Sequence, residues 1–292
     1  MAKTLRLFLF GPGYSGMALA RRLQARGWAV SGTARSEAAA AALKNAQVTA
    51  VAVDEPEALA TALGVSDALL VTAAPDAHGC PGLEALGPAL EAGARPGWIG
   101  YLSTTGVYGD RGGGWVTEDS SLAPLSEQGR RRVEAERGWL ELGQRLGLTV
   151  AVFRLPGLYG PGRSALDRVR SGSANRIVKP GQVFSRLHIE DLAAALEASI
   201  ERPSAGAVYN LCDDEPGPPQ DVIAHAAQLL GVAPPPETPY DPAALSPASR
   251  RFFDESKRVS NARAKAALGW RPHYPTYRQG LAAILAGEAS SQ

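Results

Sequence analysis

The sequence predicts an α/β fold: an open, doubly wound parallel sheet with helices on both faces. Two observations predict it. Over the first 155 of 292 residues, short apolar runs of strand length alternate with segments of helical period. Several of those runs, such as Asp67-Ala68-Leu69-Leu70-Val71, are apolar almost throughout. Strands that alternate with helices join as right-handed crossovers into a parallel sheet, and helices covering both faces leave no wet side for polar residues.

The first run, Leu5 to Phe10, ends at the glycine-rich Gly11-Pro12-Gly13-Tyr14-Ser15-Gly16. Tyr14 to Arg26 then sets Met17, Leu19, Ala20 and Leu23 on one helical face, and Gly27 stands where a helix end takes a positive φ. Trp28 to Thr33 is the second strand. The cycle repeats through helix 36–44, strand 47–53, helix 56–63, strand 67–72, helix 83–93 and strand 98–103. A longer helix over 126–146 leads into strand 148–154. Glycine and proline then punctuate 156–181, 214–219 and 234–247, while a helix over 189–201 and a strand over 207–211 return to the sheet. The expected division is a main domain, residues 1–155 and 183–212, and a smaller discontinuous lobe, residues 156–182 and 213–292.

Composition narrows the class. With 45% apolar and 20% charged residues the chain reads as soluble and globular. Thirty basic side chains against 29 acidic ones leave a net charge of +1, which gives no electrostatic reason for a nucleic-acid or membrane partner. No run approaches the roughly 20 apolar residues of a membrane span. The apolar opening is cut by glycines too early for a secretory signal. Cys80 and Cys212 stand far apart and read as free thiols, so the expected location is the cytoplasm. The four histidines show no metal-ligand spacing, and Cys212-Asp213-Asp214-Glu215 reads as an acidic loop, so no metal is expected.

The segment Gly11 to Gly16 fits G-x-G-x-x-G directly after a strand and at the start of a helix, the context in which it binds a dinucleotide in a Rossmann fold. Gly11 allows the tight turn, Gly13 lets backbone approach a pyrophosphate, and Gly16 permits close helix–strand packing. The N–H groups around Tyr14 and Ser15, at the positive helix end, then face the phosphates. At the end of the second strand the chain reads Thr33-Ala34-Arg35-Ser36, with no carboxylate before Glu37. Arg35 and Ser36 suit a 2′-phosphate, which favours NADP over NAD; the alternative is a solvated Arg35.

Several segments together resemble the extended short-chain dehydrogenase/reductase superfamily, the NAD(P)-dependent epimerase/dehydratase group. They are GPGYSG, Thr72-Ala73-Ala74-Pro75, Leu102 to Asp110, Arg154 to Gly162, Arg186 to Leu192, Tyr209-Asn210-Leu211 and Leu268-Gly269-Trp270. The resemblance implies that Thr72, Ala73 and Ala74 lie along the adenosine. It implies that Thr104 hydrogen-bonds the substrate oxygen, and that Pro156, Gly157 and Leu158 meet the nicotinamide. Arg186 and His188 fall in the segment that returns toward the substrate, and the helices at 83–93 and 126–146 form the homodimer surface of the family. The alternative for Thr104 is a strand-end hydroxyl satisfied by backbone.

One departure matters. The family's acid–base pair is Tyr-x-x-x-Lys, and here Gln128 stands at the tyrosine and Arg132 at the lysine. A carboxamide does not exchange a proton near neutrality, and a guanidinium is no equivalent of an ammonium. Losing a positioned acid–base group costs on the order of 10² to 10⁴ in rate. Tyr108 is the candidate proton donor, with Arg132 supplying charge near the nicotinamide ribose; the alternatives are structural packing of Tyr108, with Tyr159, His188 or a bound water doing the work. The expected function is an NADP-dependent oxidoreductase or epimerase acting on a small polar carbonyl or alcohol, including a sugar derivative. The alternatives are a dinucleotide-binding redox sensor without turnover, and a redox-neutral epimerase or lyase.

Overall fold

The computed structural model describes residues 3–246, 250 and 252–289. Seven strands form the main sheet: β1 (Arg6–Phe10), β2 (Ala29–Ala34), β3 (Thr49–Ala52), β4 (Ala68–Val71), β5 (Trp98–Thr104), β6 (Val150–Leu155) and β7 (Ala207–Asn210). Their order is β7-β6-β5-β4-β1-β2-β3 and every pairing is parallel. The chain winds outward from β1 to β3, then returns to place β4 on the other side of β1. Ligands of such sheets sit outside the carboxyl ends of the strands at this reversal.

Helices α1 (Tyr14–Gln24), α2 (Glu37–Asn45), α3 (Pro56–Gly64), α4 (Pro81–Glu91), α5 (Glu127–Leu146) and α6 (Ile189–Glu201) connect the strands. Alternate strand residues feed two separate cores. Leu7, Leu9, Leu70, Trp98 and Phe153 pack toward α1 and α6. Phe8, Phe10, Val71, Tyr101 and Val152 pack toward α3, α4 and α5. The expected elements all form, with ends moved by a few residues. Serine caps explain two of those moves: Ser36 accepts from the Ala39 N–H at 3.2 Å before α2, and Ser126 from the Gly129 N–H at 3.0 Å before α5. Gly27 takes φ +83°, and the Trp28 N–H turns back to the Leu23 carbonyl.

After β6 a smaller layer stands over the carboxyl edge of the sheet. The strand pair Gly157–Tyr159 and Arg186–His188 leads into it, and a second pair joins Arg176–Val178 to Glu237–Pro239. Its own core gathers Tyr159 from the first strand pair with Leu166, Val222, Ile223, Tyr277 and Leu281 from three helices, Ala165–Arg170, Pro219–Leu229 and Tyr277–Ala289. The stretch after residue 213 does not belong to this layer alone, because Ala264, Leu268 and Trp270 bury in the main core beside α6. Among the described residues no helix is long and apolar enough to cross a membrane. The outward stripe of α5, on the expected dimer surface, is charged: Glu134, Arg137, Glu141 and Arg145 are exposed, and Arg145 pairs with Glu91 at 2.7 Å.

Candidate active site

The turn after β1 is held from both sides. Gly11 takes φ +80°, its N–H donates to Thr33 Oγ1 at 2.9 Å, and its carbonyl accepts from the Thr72 hydroxyl. A Cβ on Gly11 would stand 2.9 Å from Ala73, so conformation and space both require glycine there. Gly13 is different. A Cβ on it would meet only the Gly11 carbonyl, at 4.0 Å, so its face is open. Gly13 also begins α1, which has no side-chain cap and no acidic residue in its first turn. The N–H groups at that end and the positive helix pole are therefore available to an anion, a fit to a dinucleotide pyrophosphate.

Gly16 does not have the tight packing expected of it. A Cβ there would lie 3.5 Å from Thr72 Cγ2 and 3.8 Å from Leu9, ordinary contacts that an alanine methyl tolerates. Thr72 and Ala73 back the loop directly, with Ala74 following at the end of β4. Arg35 is exposed just beyond β2 and has no hydrogen-bond or ion-pair partner among the described residues. Ser36 uses an oxygen lone pair to cap α2, which leaves its hydroxyl proton to donate.

Between the sheet edge and the smaller layer lies a cavity of about 850 Å³. Thr104, Gln128, Pro156, Gly157 and Leu158 line its sheet side. Arg163, Arg168, Arg186 and Lys257 also line it, accompanied by Asp167 and Glu255, with Arg186 on the strand paired to Gly157. Thr104 ends β5, and its Oγ1 accepts from the Gly106 N–H at 3.1 Å. The hydroxyl proton stays free for a substrate.

Tyr108 does not reach this cavity. It is wholly buried, donating to Asn210 Oδ1 at 2.7 Å and accepting from the Arg154 guanidinium at 3.0 Å. Burial pushes its phenol up, against the pull of Arg154. Arg154 in turn pairs with buried Glu136 at 2.7 Å, and Glu136 accepts from the Ser103 hydroxyl at 2.5 Å. The geometry is that of a structural network behind the wall, the alternative open for Tyr108. Arg132 is also absent from the cavity wall. Its guanidinium donates to the Leu102 carbonyl and lies 5.8 Å from the Tyr101 ring centre, tying α5 to β5. Gln128, one turn earlier on the same helix, does line the cavity.

Arg186 and His188 part company. The Arg186 guanidinium lines the cavity, fixed by 3.0 Å bonds to the Phe184 and Gly217 carbonyls. His188 is buried outside it and caps α6, its Nδ1 accepting from the Glu190 N–H at 3.3 Å. Its ring lies edge-on to Tyr159 and Tyr274, and burial pushes the imidazole down to about 4. A neutral, enclosed histidine has no means to touch a substrate in the cavity.

Arg163, Arg168 and Lys257 are site residues that the sequence did not reveal. Arg163 follows the motif segment Arg154 to Gly162 by one residue, which is a usable signal. Nothing in the sequence marks Lys257; the pairing of Arg258–Val259 with Trp115–Val116 and the bonds of Ser256 to Asp110, Gly181 and Val183 bring that segment to the cavity. Asp213 is buried behind Arg186 with neither carboxylate oxygen hydrogen-bonded, and burial pushes it up to about 8.

Residues 88–212 match the family model described as the NAD dependent epimerase/dehydratase family. Protein YeeZ of Escherichia coli strain K12 is 31% identical over 242 residues, 79% of this chain and 85% of that protein. A Streptomyces protein named 3-diazoavenalumate denitrifying reductase is 38% identical over 141 residues. That match covers 44% of this chain and 45% of the relative, so this chain spans under half of that protein. Among solved structures, a conserved protein of unknown function from Silicibacter pomeroyi DSS superposes with a TM-score of 0.89 at 46% identity, over 98% of this chain and 99% of that one.

Proposed function

This chain belongs to the NAD(P)-dependent epimerase/dehydratase family of extended short-chain dehydrogenases/reductases, and on that premise we propose that it is an NADP-dependent oxidoreductase of a small, polar, anionic substrate. The carrying observation is the pairing of an open, uncapped phosphate cradle at Gly13 with a cavity lined by Arg163, Arg168, Arg186 and Lys257. Gly11, Gly13, Tyr14, Ser15 and Gly16 would hold the pyrophosphate, and Arg35 with Ser36 the 2′-phosphate. Thr72, Ala73 and Ala74 would flank the adenosine, and Pro156, Gly157 and Leu158 the nicotinamide. When bound, that ring gives or takes a hydride.

Thr104 would orient the reacting atom of the substrate through its free hydroxyl proton. That atom belongs to a carbonyl or alcohol, including that of a sugar derivative, or to the nitrogen counterpart of one. The Streptomyces relative, named for reducing a diazo compound, supports the nitrogen counterpart. Two copies would pair through α4 and α5, and size measured by light scattering tests that pairing.

Calorimetry with NADPH and NADH tests the cofactor. Wild type is expected to prefer NADPH, and Arg35→Ala to lose about tenfold or more for NADPH with little change for NADH, the worth of one charge-assisted hydrogen bond. Equal losses would remove the 2′-phosphate role, and no heat with either nucleotide would overturn the whole reading. A sensor without turnover is a second reading, favoured by Gln128 at the acid position. It predicts tight NADPH binding and no oxidation of it by any acceptor.

A further inference from the structure

The sheet side of the cavity carries four polar side chains, Thr104, Thr105, Ser126 and Gln128. Thr104 and Ser126 accept backbone N–H groups at 3.1 and 3.0 Å, and neither a hydroxyl nor a carboxamide yields a proton near neutral pH. Tyr159 also lines the cavity, but its hydroxyl is buried without a hydrogen-bond partner. Burial and the nearby Asp213 and Asp191 push that phenol upward, so it holds its proton still more firmly.

The other titratable groups of the lining are Tyr277, Asp167, Glu255 and Lys257; burial pushes the Tyr277 phenol up, and its ring lies beside the Arg186 and Arg278 guanidinium groups. Asp167 Oδ2 accepts from both the N–H and the hydroxyl of Ser164 at 2.7 Å, and Lys257 pairs with Glu255 at 2.5 Å. The guanidinium groups do not titrate. The polar side chains on the Thr104 side of the cavity therefore offer hydrogen-bonding oxygens, and none of them is an acid near neutral pH.

Acceptor chemistry decides what such a wall can serve. A carbonyl that gains a hydride becomes an alkoxide and needs a proton in the same event. A protonated imine that gains a hydride becomes a neutral amine: the π electrons become the nitrogen lone pair, and no proton enters or leaves. An arenediazonium behaves alike. Hydride on its terminal nitrogen gives a neutral diazene, which loses N2 as its hydrogen moves to carbon.

We propose that the substrate is a cationic nitrogen electrophile bearing a carboxylate, with the cation against the oxygens of Gln128 and Thr104 and the carboxylate toward Arg163, Arg168 and Arg186. The reductant is a reduced nicotinamide dinucleotide, so the inference rests on the function proposed above. Gln128 is then a specificity residue. Its carboxamide oxygen turns toward positive charge where a phenol would have turned its proton toward an oxyanion.

The test uses the full chain and begins with NADPH binding by calorimetry; failure at that step overturns the cofactor reading. With NADPH bound, 1-pyrroline-2-carboxylate and 4-carboxybenzenediazonium are compared with pyruvate and 4-carboxybenzaldehyde, each corrected for the uncatalysed rate. The two nitrogen compounds distinguish an imine source from a diazonium source. Turnover of either is expected, with kcat/KM at least about a hundredfold above the carbonyl compounds, the lower end of what a missing acid costs. The solvent deuterium effect is expected near unity.

Binding gives a readout independent of turnover. On the NADP complex, calorimetry is expected to show 1-methylpyridinium-3-carboxylate binding more tightly than benzoate. Gln128→Lys is expected to erase that preference by placing like charge at the cation, without changing the NADPH Kd. Carbonyl turnover equal to that of the nitrogen compounds, a solvent effect of about two or more with an enzyme-borne pH limb, or no turnover of either nitrogen compound by the NADPH-loaded chain would each overturn the proposal. So would a cation preference unmoved in Gln128→Lys.

Discussion

At Tyr108 a phenol that sequence places four residues after Thr104 ends in a wholly buried network. Removing its hydroxyl strands Asn210 Oδ1 and takes one of two acceptors from Arg154 Nη1, which keeps the Glu118 carbonyl. Tyr108→Phe is therefore expected to lower the unfolding free energy by about 1–3 kcal/mol in urea titration, with the NADPH Kd unchanged. Loss of dinucleotide affinity without loss of stability would return the phenol to the active site. Glu136→Gln is the harsher change, because it leaves the Arg154 charge buried without its ion pair; about 3–5 kcal/mol is expected. Thr104 was legible as a strand-end hydroxyl because its place depends on one strand and the turn after it. The fate of Tyr108 depends on Asn210, 102 residues away on β7.

At the scale of elements, α1 and the turn before it separate two uses of glycine. Gly13→Val would put methyl groups into the open face that a pyrophosphate needs while leaving the packing of the turn intact. The expected outcome is loss of measurable NADPH binding with urea stability near wild type; unchanged affinity would move the phosphate elsewhere. Gly16→Ala is expected to keep both, since its Cβ makes only ordinary contacts. Such contacts cannot be read from the motif, which accepts glycine or alanine at the third position. The register of α5 was legible as the alignment of Gln128 with the family's tyrosine, and the helix does bring Gln128 to the cavity. The role of Arg132 was not legible, because a side chain of that length reaches whichever neighbour packing offers, here the Leu102 carbonyl.

For the molecule as a whole, two buried groups near the junction of sheet and smaller layer give opposite dependences on pH. The folded chain keeps His188 neutral down to about 4, whereas an unfolded imidazole takes up its proton near 6.5. Between those values the unfolded state binds more protons, so stability falls as pH drops through that window, by on the order of 3 kcal/mol. Asp213 acts the other way. Folded, it keeps its proton up to about 8, while unfolded it loses it near 3.8. Stability contributed by the protonated form is present below 3.8 and is lost as pH rises toward 8. Asp213→Asn is expected to match wild type near pH 4 and to exceed it increasingly up to pH 8, by on the order of a few kcal/mol in urea titrations. A difference constant across that range would contradict the shift.

What the sequence determined by itself is the alternation of strands and helices, the doubly wound parallel class, and the glycine turn between Gly11 and Gly16. These follow from side-chain periodicity and backbone conformation within a few residues, and local physics suffices for them. The tertiary structure decided which side chains share the cavity. It brought in Arg163, Arg168 and Lys257, enclosed Tyr108 and His188, and tied Arg132 to β5. Burial and charge at a point in space are sums over segments remote along the chain, and no window of sequence contains them.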